Sequence, residues 1–84
     1  MRGREVAVIV RVKLLSDLRK YLRGRPEPIV AELAPGAVVA DLVRELGIDP
    51  GDEMIVGVNG QLASPESQLS DGDEVMLMTP MSGG

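Results

Sequence analysis

The chain has 84 residues, enough for one small domain and too few for two separate cores. It has no cysteine and no histidine, which excludes disulfides, thiol nucleophiles, thiolate or imidazole metal sites and any histidine-based triad. The net charge of −4 hides an asymmetry: residues 1–25 carry +6 and residues 26–84 carry −10.

A chain this short buries only a little over ~60% of the surface it exposes when unfolded, so a large enclosed active site is not expected. Tyr21 is the only aromatic residue, so the core must be built from Val, Leu, Ile and Met. The basic segment lacks rings on which bases could stack, and no nucleic-acid partner is expected. The two oppositely charged halves are expected to lie side by side and partly neutralise each other. No apolar run approaches the ~20 residues of a membrane span. Met1-Arg2-Gly3-Arg4 leads into charged, strand-like sequence without a small-residue cleavage site. The expectation is a cytoplasmic protein with no membrane partner.

Glu5 to Leu14 alternates, with Val6, Val8, Val10, Val12 and Leu14 on one face and Ala7, Ile9, Arg11 and Lys13 on the other. Period two with this much Val and Ile predicts a strand whose second face is half exposed. Leu15 to Arg23 follows as a short helix, with Leu18, Tyr21 and Leu22 at i, i+3, i+4 and Ser16 or Asp17 as its cap. Gly24 ends it, and Pro26 and Pro28 prevent its return. Ile29 to Leu33 reads as a short strand, broken by Pro35-Gly36. Val39, Leu42, Val43 and Leu46 repeat at i, i+3, i+4, i+7 and predict the main helix, closed by Gly47. Val38 offers no capping oxygen, an expected cost of about 1 kcal/mol relative to Ser or Thr.

After the Asp49-Pro50-Gly51 loop, Met54 to Val58 predicts a strand, and Asn59-Gly60 a tight hairpin turn. Gln61-Leu62 is long enough only for a strand stub. Ser64-Pro65 and Asp71-Gly72 mark turns, and Glu74 to Met78 predicts the last strand. Residues 79–84 (TPMSGG) can form neither strand nor helix, which divides the chain into a domain over 1–78 and a flexible tail over 79–84. One amphipathic helix across a four- or five-stranded mixed sheet fits this order and places the chain in the α+β class.

No phosphate-binding loop, dinucleotide fingerprint, HExxH or EF-hand pattern is present. Asp71-Gly72-Asp73-Glu74 gathers carboxylates, but the cation-liganding pattern is incomplete, and a solvated turn is the expected reading. If Val75 and Leu77 face the core, Met76 and Met78 point outward, and exposed methionine suits adaptable protein contacts. Those methionines are expected beside Ile9, Arg11 and Lys13, forming a mixed apolar and basic docking patch. The tail has no bulky side chain beyond Met81. Glycine lacks a Cβ, so Gly83-Gly84 can enter a narrow tunnel and deliver one distinctive group, the Gly84 α-carboxylate.

These segments are similar to a known family. VRVKLLSDLRKYLRG, PGAVVADLVREL, VGVNG and above all LSDGDEVMLMTPMSGG resemble the ubiquitin-like sulfur carriers, the MoaD/ThiS family, from about Val10 to Gly84. The ending Pro80-Met81-Ser82-Gly83-Gly84 looks more like the small subunit of molybdopterin synthase (MoaD) than the thiamine-pathway carrier (ThiS). The resemblance implies a β-grasp fold with parallel first and last strands at its centre. It implies a non-catalytic carrier with no permanently bound cofactor, whose Gly84 is adenylated by a ubiquitin-activating-type adenylyltransferase using its own ATP and Mg²⁺. Sulfur from a persulfide then replaces AMP, and the resulting thiocarboxylate serves the large subunit of molybdopterin synthase. Partner contacts are expected at Gly83, Ser82, Met81, Pro80, Met78, Met76, Arg11 and Lys13. Three other readings stay open: a carrier for thiamine or another sulfur acceptor, a protein modifier forming isopeptide bonds, and an inert β-grasp binding module.

Overall fold

A computed structural model describes residues 7–49, 51 and 53–80. Strand β1 spans Val8–Leu14 and alternates strictly between buried and exposed side chains. The expected start of this strand at Glu5 and Val6 lies outside the described residues.

Residues Ser16–Tyr21 form a helix, but of the 3₁₀ type. Neither Ser16 nor Asp17 caps it. Leu15 occupies the cap position without a side-chain hydrogen bond, and Ser16 has φ 57°. The cause is tertiary: the Leu15 N–H donates to the Leu77 carbonyl at 2.9 Å, pinning the chain where β1 ends. The Leu18 N–H then donates to the Leu15 carbonyl at 3.2 Å and tightens the first turn. Leu18 is fully buried, while Tyr21 and Leu22 pack against the core at its edge.

Strand β2 is Ile29–Leu33. Helix α1 spans Val39–Glu45 and buries Val39, Leu42 and Val43. Its C-terminus closes as a Schellman turn: the Ile48 N–H reaches the Val43 carbonyl at 3.2 Å and the Gly47 N–H reaches the Arg44 carbonyl at 3.1 Å. Gly47 has φ +78°, a conformation that a Cβ would strain.

The expected weakness at Val38 is offset from elsewhere in the chain. The Val39 N–H donates to the Ser67 carbonyl and the Ala40 N–H to the Pro65 carbonyl, both at 2.9 Å. The Asp41 carboxylate reaches back to the Val38 N–H at 2.9 Å. Valine cannot return the reciprocal bond of a capping box, so loop carbonyls satisfy donors that a Ser or Thr would otherwise take.

Strands β3 (Ile55–Val58) and β4 (Gln61–Ala63) form a hairpin through Asn59-Gly60, with φ of 52° and 85°. Positive φ at both turn residues is the twist-matched turn that Asn-Gly favours. The Gln61-Leu62 stub is thus a true, three-residue edge strand. Strand β5, Glu74–Met78, completes a five-stranded sheet in the order β2-β1-β5-β3-β4. β1 and β5 run parallel, and every other pairing is antiparallel. β5 lies at the centre with β1 beside it, and the β-grasp arrangement implied by the resemblance is what the chain adopts. One face of the sheet packs beneath α1 and its flanking loops, with Val10, Val12, Leu14, Leu77 and Leu42 sealed from solvent.

Candidate functional site

The other face of the sheet is open. Because side chains alternate along a strand, burying Val75 and Leu77 turns Glu74, Met76 and Met78 to this side. The register of the parallel pair sets Lys13 opposite Met76 and Arg11 opposite Glu74. On the far side of β5, Met76 faces Gly57 and Met78 faces Ile55, and Gly57 in turn faces Leu62 of β4. A groove of about 430 Å³ runs over these residues. Arg11 and Lys13 stand along one wall and Ile55 and Leu62 along the other, with Met76 and Met78 between. Met76 is 39% exposed, Ile55 38% and Leu62 83%, so the groove is apolar and open, with Arg11, Lys13 and the Glu74 carboxylate on its rim.

Two corrections to the expected patch follow from the register. Ile9 is not beside the methionines: it pairs with Glu32 on β2. Its N–H is held by the Asp71 carboxylate at 2.8 Å, and its carbonyl accepts the Gly72 N–H at 2.7 Å. Arg11 faces Glu74 rather than a methionine, although it still lines the same groove. Lys13, Met76 and Met78 come together as expected. Pro80 is exposed, directly beyond the end of β5. Met81, Ser82, Gly83 and Gly84 lie outside the described residues.

Ile55, Gly57 and Leu62 were not foreseen. Alternation along β3 puts Ile55 and Gly57 on one face, and a two-residue turn at Asn59-Gly60 pairs Val58 with Gln61 and hence Gly57 with Leu62, but reading Gln61-Leu62 as a stub hides that pairing.

The Asp71 and Asp73 carboxylates serve the fold. Asp73 accepts the Ser70 N–H and the Asn59 side-chain amide, both at 2.8 Å, and the Asn59 side-chain oxygen accepts the Glu74 N–H at 2.9 Å. This lattice locks the β3–β4 turn to the start of β5. Among the described residues no group of three or more His, Cys, Asp or Glu is placed to hold a metal ion. Among them, too, no helix is long and apolar enough to cross a membrane.

The Glu27 carboxyl is perturbed by its surroundings. The Leu14 N–H donates to the Glu27 carboxylate at 3.1 Å, and the Arg19 guanidinium pairs with it at 3.1 Å. The backbone bond from Leu14 is the largest influence and holds the Glu27 carboxyl below its ordinary value; desolvation opposes it, and the Arg19 hydrogen bond and the Arg19 and Lys13 charges add to the lowering. This pair joins the basic and acidic halves of the chain.

The chain is similar in structure to a Pyrococcus furiosus protein provisionally assigned as molybdopterin converting factor, subunit 1. The TM-score is 0.70 at 27% identity, covering 88% of this chain and 99% of that one. It is also similar to the Haloferax volcanii small archaeal modifier protein 1, with TM-score 0.71 at 20% identity over 88% of this chain and 99% of that one. A Caldiarchaeum subterraneum ubiquitin shares the fold at TM-score 0.58 and 18% identity, covering 94% of this chain and 100% of that one. No curated protein matches by sequence. The family model that matches is that of the ThiS family, over residues 12–84, and the chain belongs to that family of small ubiquitin-like carriers.

Proposed function

We propose that the chain carries sulfur as a thiocarboxylate on Gly84 and donates it in the synthesis of molybdopterin, the organic part of the molybdenum and tungsten cofactors. The observation that carries this reading is the family match running through Gly84. It is supported by the position of β5, a central strand that leads directly into the Pro80–Gly84 segment. The provisional assignment of the Pyrococcus furiosus protein supports the choice of acceptor.

A carboxylate is a poor electrophile until one oxygen becomes a good leaving group. The Gly84 carboxylate attacks the α-phosphorus of ATP in a ubiquitin-activating-type adenylyltransferase, and pyrophosphate leaves. The terminal sulfur of a persulfide attacks the acyl carbon, and AMP leaves. A second thiol then attacks the donor's inner sulfur and forms a disulfide with it, and the sulfur bound to the acyl carbon leaves with its electron pair as the thiocarboxylate. ATP, Mg²⁺ and the thiols belong to partners. This chain contributes the carboxylate, a slim glycine finger and the open sheet face on which the activating enzyme docks. The large subunit of molybdopterin synthase then receives the charged tail, in the cytoplasm.

Incubating the protein with such an enzyme, ATP and a persulfide donor should replace one oxygen of Gly84 by sulfur, read by intact mass. Deleting Gly84 should abolish the change and leave the melting temperature unaltered. A truncated protein that still gains sulfur sinks the reading. Stable higher-mass adducts on lysine, with no thiocarboxylate, point to a protein modifier instead.

A further inference from the structure

Gly57 is a glycine that the backbone does not need. Gly24, Gly36, Gly47, Gly60 and Gly72 all have positive φ, whereas Gly57 sits in ordinary strand geometry. A Cβ built there meets only the Gln61 carbonyl oxygen at 3.8 Å and the Met76 Cβ at 3.9 Å, both normal contacts. Glycine inside a strand weakens it, and its presence marks a bulge, a bend or the close approach of another molecule. The register excludes a bulge: Ile55 to Val58 pair without interruption with Met78 to Val75, and Val56 to Val58 with Ala63 to Gln61. Close approach is the reading its place favours, because Gly57 lies on the open face of the sheet and lines the groove. Across the open face one row reads Leu62, Gly57, Met76, Lys13, and only Gly57 lacks a side chain. Gly57 lines the groove, and no side chain of its own occupies the space above it.

We infer that Gly57 is a specificity-determining position, a socket that admits one apolar side chain of the activating enzyme, carried next to a carboxylate. The apolar part follows from the flanking Met76 and Leu62. The carboxylate follows from Arg11 and Lys13 on the same groove, two cations that make no ion pair among the described residues and stand against one lining acid, Glu74, so the groove keeps a positive balance. This inference rests on the reading that an activating enzyme docks on this face.

The test is calorimetric titration of the full chain with the adenylyltransferase of its source organism, which measures docking rather than sulfur transfer. Gly57→Val should keep or raise the melting temperature, since valine suits a strand. It should weaken binding roughly tenfold or more, as added methyl groups do in a filled contact. Gly57→Ala, with one methyl, should bind with an affinity between those of wild type and Gly57→Val, at an equal or higher melting temperature. Wild-type affinity in Gly57→Val overturns the inference. So does a Gly57→Val that merely dissociates a dimer of this chain, or removal of residues 79–84 that tightens binding and makes Gly57→Val neutral. Those outcomes assign the groove to a second copy or to the chain's own tail. A wild-type protein that binds but is never charged sinks the Gly84 chemistry and leaves the socket standing, whereas one that does not bind overturns the socket.

Discussion

The two faces of this sheet are built by the same strands under the same alternation, yet they have opposite fates. On β1, Val8, Val10, Val12 and Leu14 are buried while Ile9, Arg11 and Lys13 are exposed. On β5, Val75 and Leu77 are buried while Met76 remains open. A seven-residue helix and the 65–70 loop cover one face, and no element of the described chain covers the other. The difference teaches where stability ends and recognition begins. The covered face uses branched aliphatics that fill space in fixed rotamers. The open face uses flexible methionine, cations and a glycine gap, which suit a partner that comes and goes.

The strongest way to break this contrast is to exchange the insults. Leu77→Ala opens a cavity in the covered face and should cost about 2–5 kcal/mol. Against a total stability of about 5–15 kcal/mol, this should lower the melting temperature by about 8 °C or more on the scale of about 4–8 °C per kcal/mol for a domain of this size. Arg11→Glu combined with Lys13→Glu alters only exposed side chains and should cost about 1 kcal/mol per site or less, the larger share at Arg11, where a glutamate would face Glu74. It should instead weaken binding to the activating enzyme, mainly through a slower, differently salt-dependent association. Thermal melts and stopped-flow association on both variants separate the roles. Unchanged association in the charge-reversed protein removes the open face from partner recognition.

A smaller effect tests the seam between β1, the 3₁₀ helix and the start of β2. The Glu27 carboxyl is held below its ordinary value, so the folded state favours its charged form. Its contribution is therefore fully present above the unfolded carboxylate value of about 4.3 and is lost as pH falls through the lower folded value. Glu27→Gln should flatten the acid limb of a stability-against-pH curve below about pH 5, read by urea melts across that range. An unchanged acid limb would mean that the Leu14 N–H bond does not discriminate between the two protonation states.

Legibility followed the range of the interactions. The β1 alternation, the i, i+3, i+4, i+7 pattern of α1, the Asn59-Gly60 turn and the β5 segment are local signals, and each element formed there. The 3₁₀ character of Ser16–Tyr21 was hidden because it depends on a bond from Leu15 to Leu77, which are 62 residues apart. The groove was half legible. Outward methionines and cations follow from parity along single strands. The displacement of Ile9, the pairing of Arg11 with Glu74 and the emptiness around Gly57 follow from register between strands, which no single segment encodes.

The subtlest prediction concerns the covered face, at the helix start where the sequence looked weakest. Introducing a capping oxygen by Val38→Thr would ordinarily stabilise a helix by about 1 kcal/mol. Here the gain should stay below about 0.5 kcal/mol, because a new cap has no orphan donor to satisfy. The Ala40 N–H already bonds the Pro65 carbonyl and the Asp41 N–H already bonds the Val38 carbonyl, both at 2.9 Å. Val38 is also half-buried and bridges to Gln68, so losing a methyl works against the change. The loop that replaces the cap is itself held by the Ser67 hydroxyl, which accepts the Ser64 N–H at 3.0 Å. Ser67→Ala should loosen that loop and return to Val38→Thr part of its ordinary benefit. A double-mutant cycle in urea would then show favourable coupling between two sites that never touch through their side chains. Strict additivity would show that the loop carbonyls hold the helix start without help from Ser67.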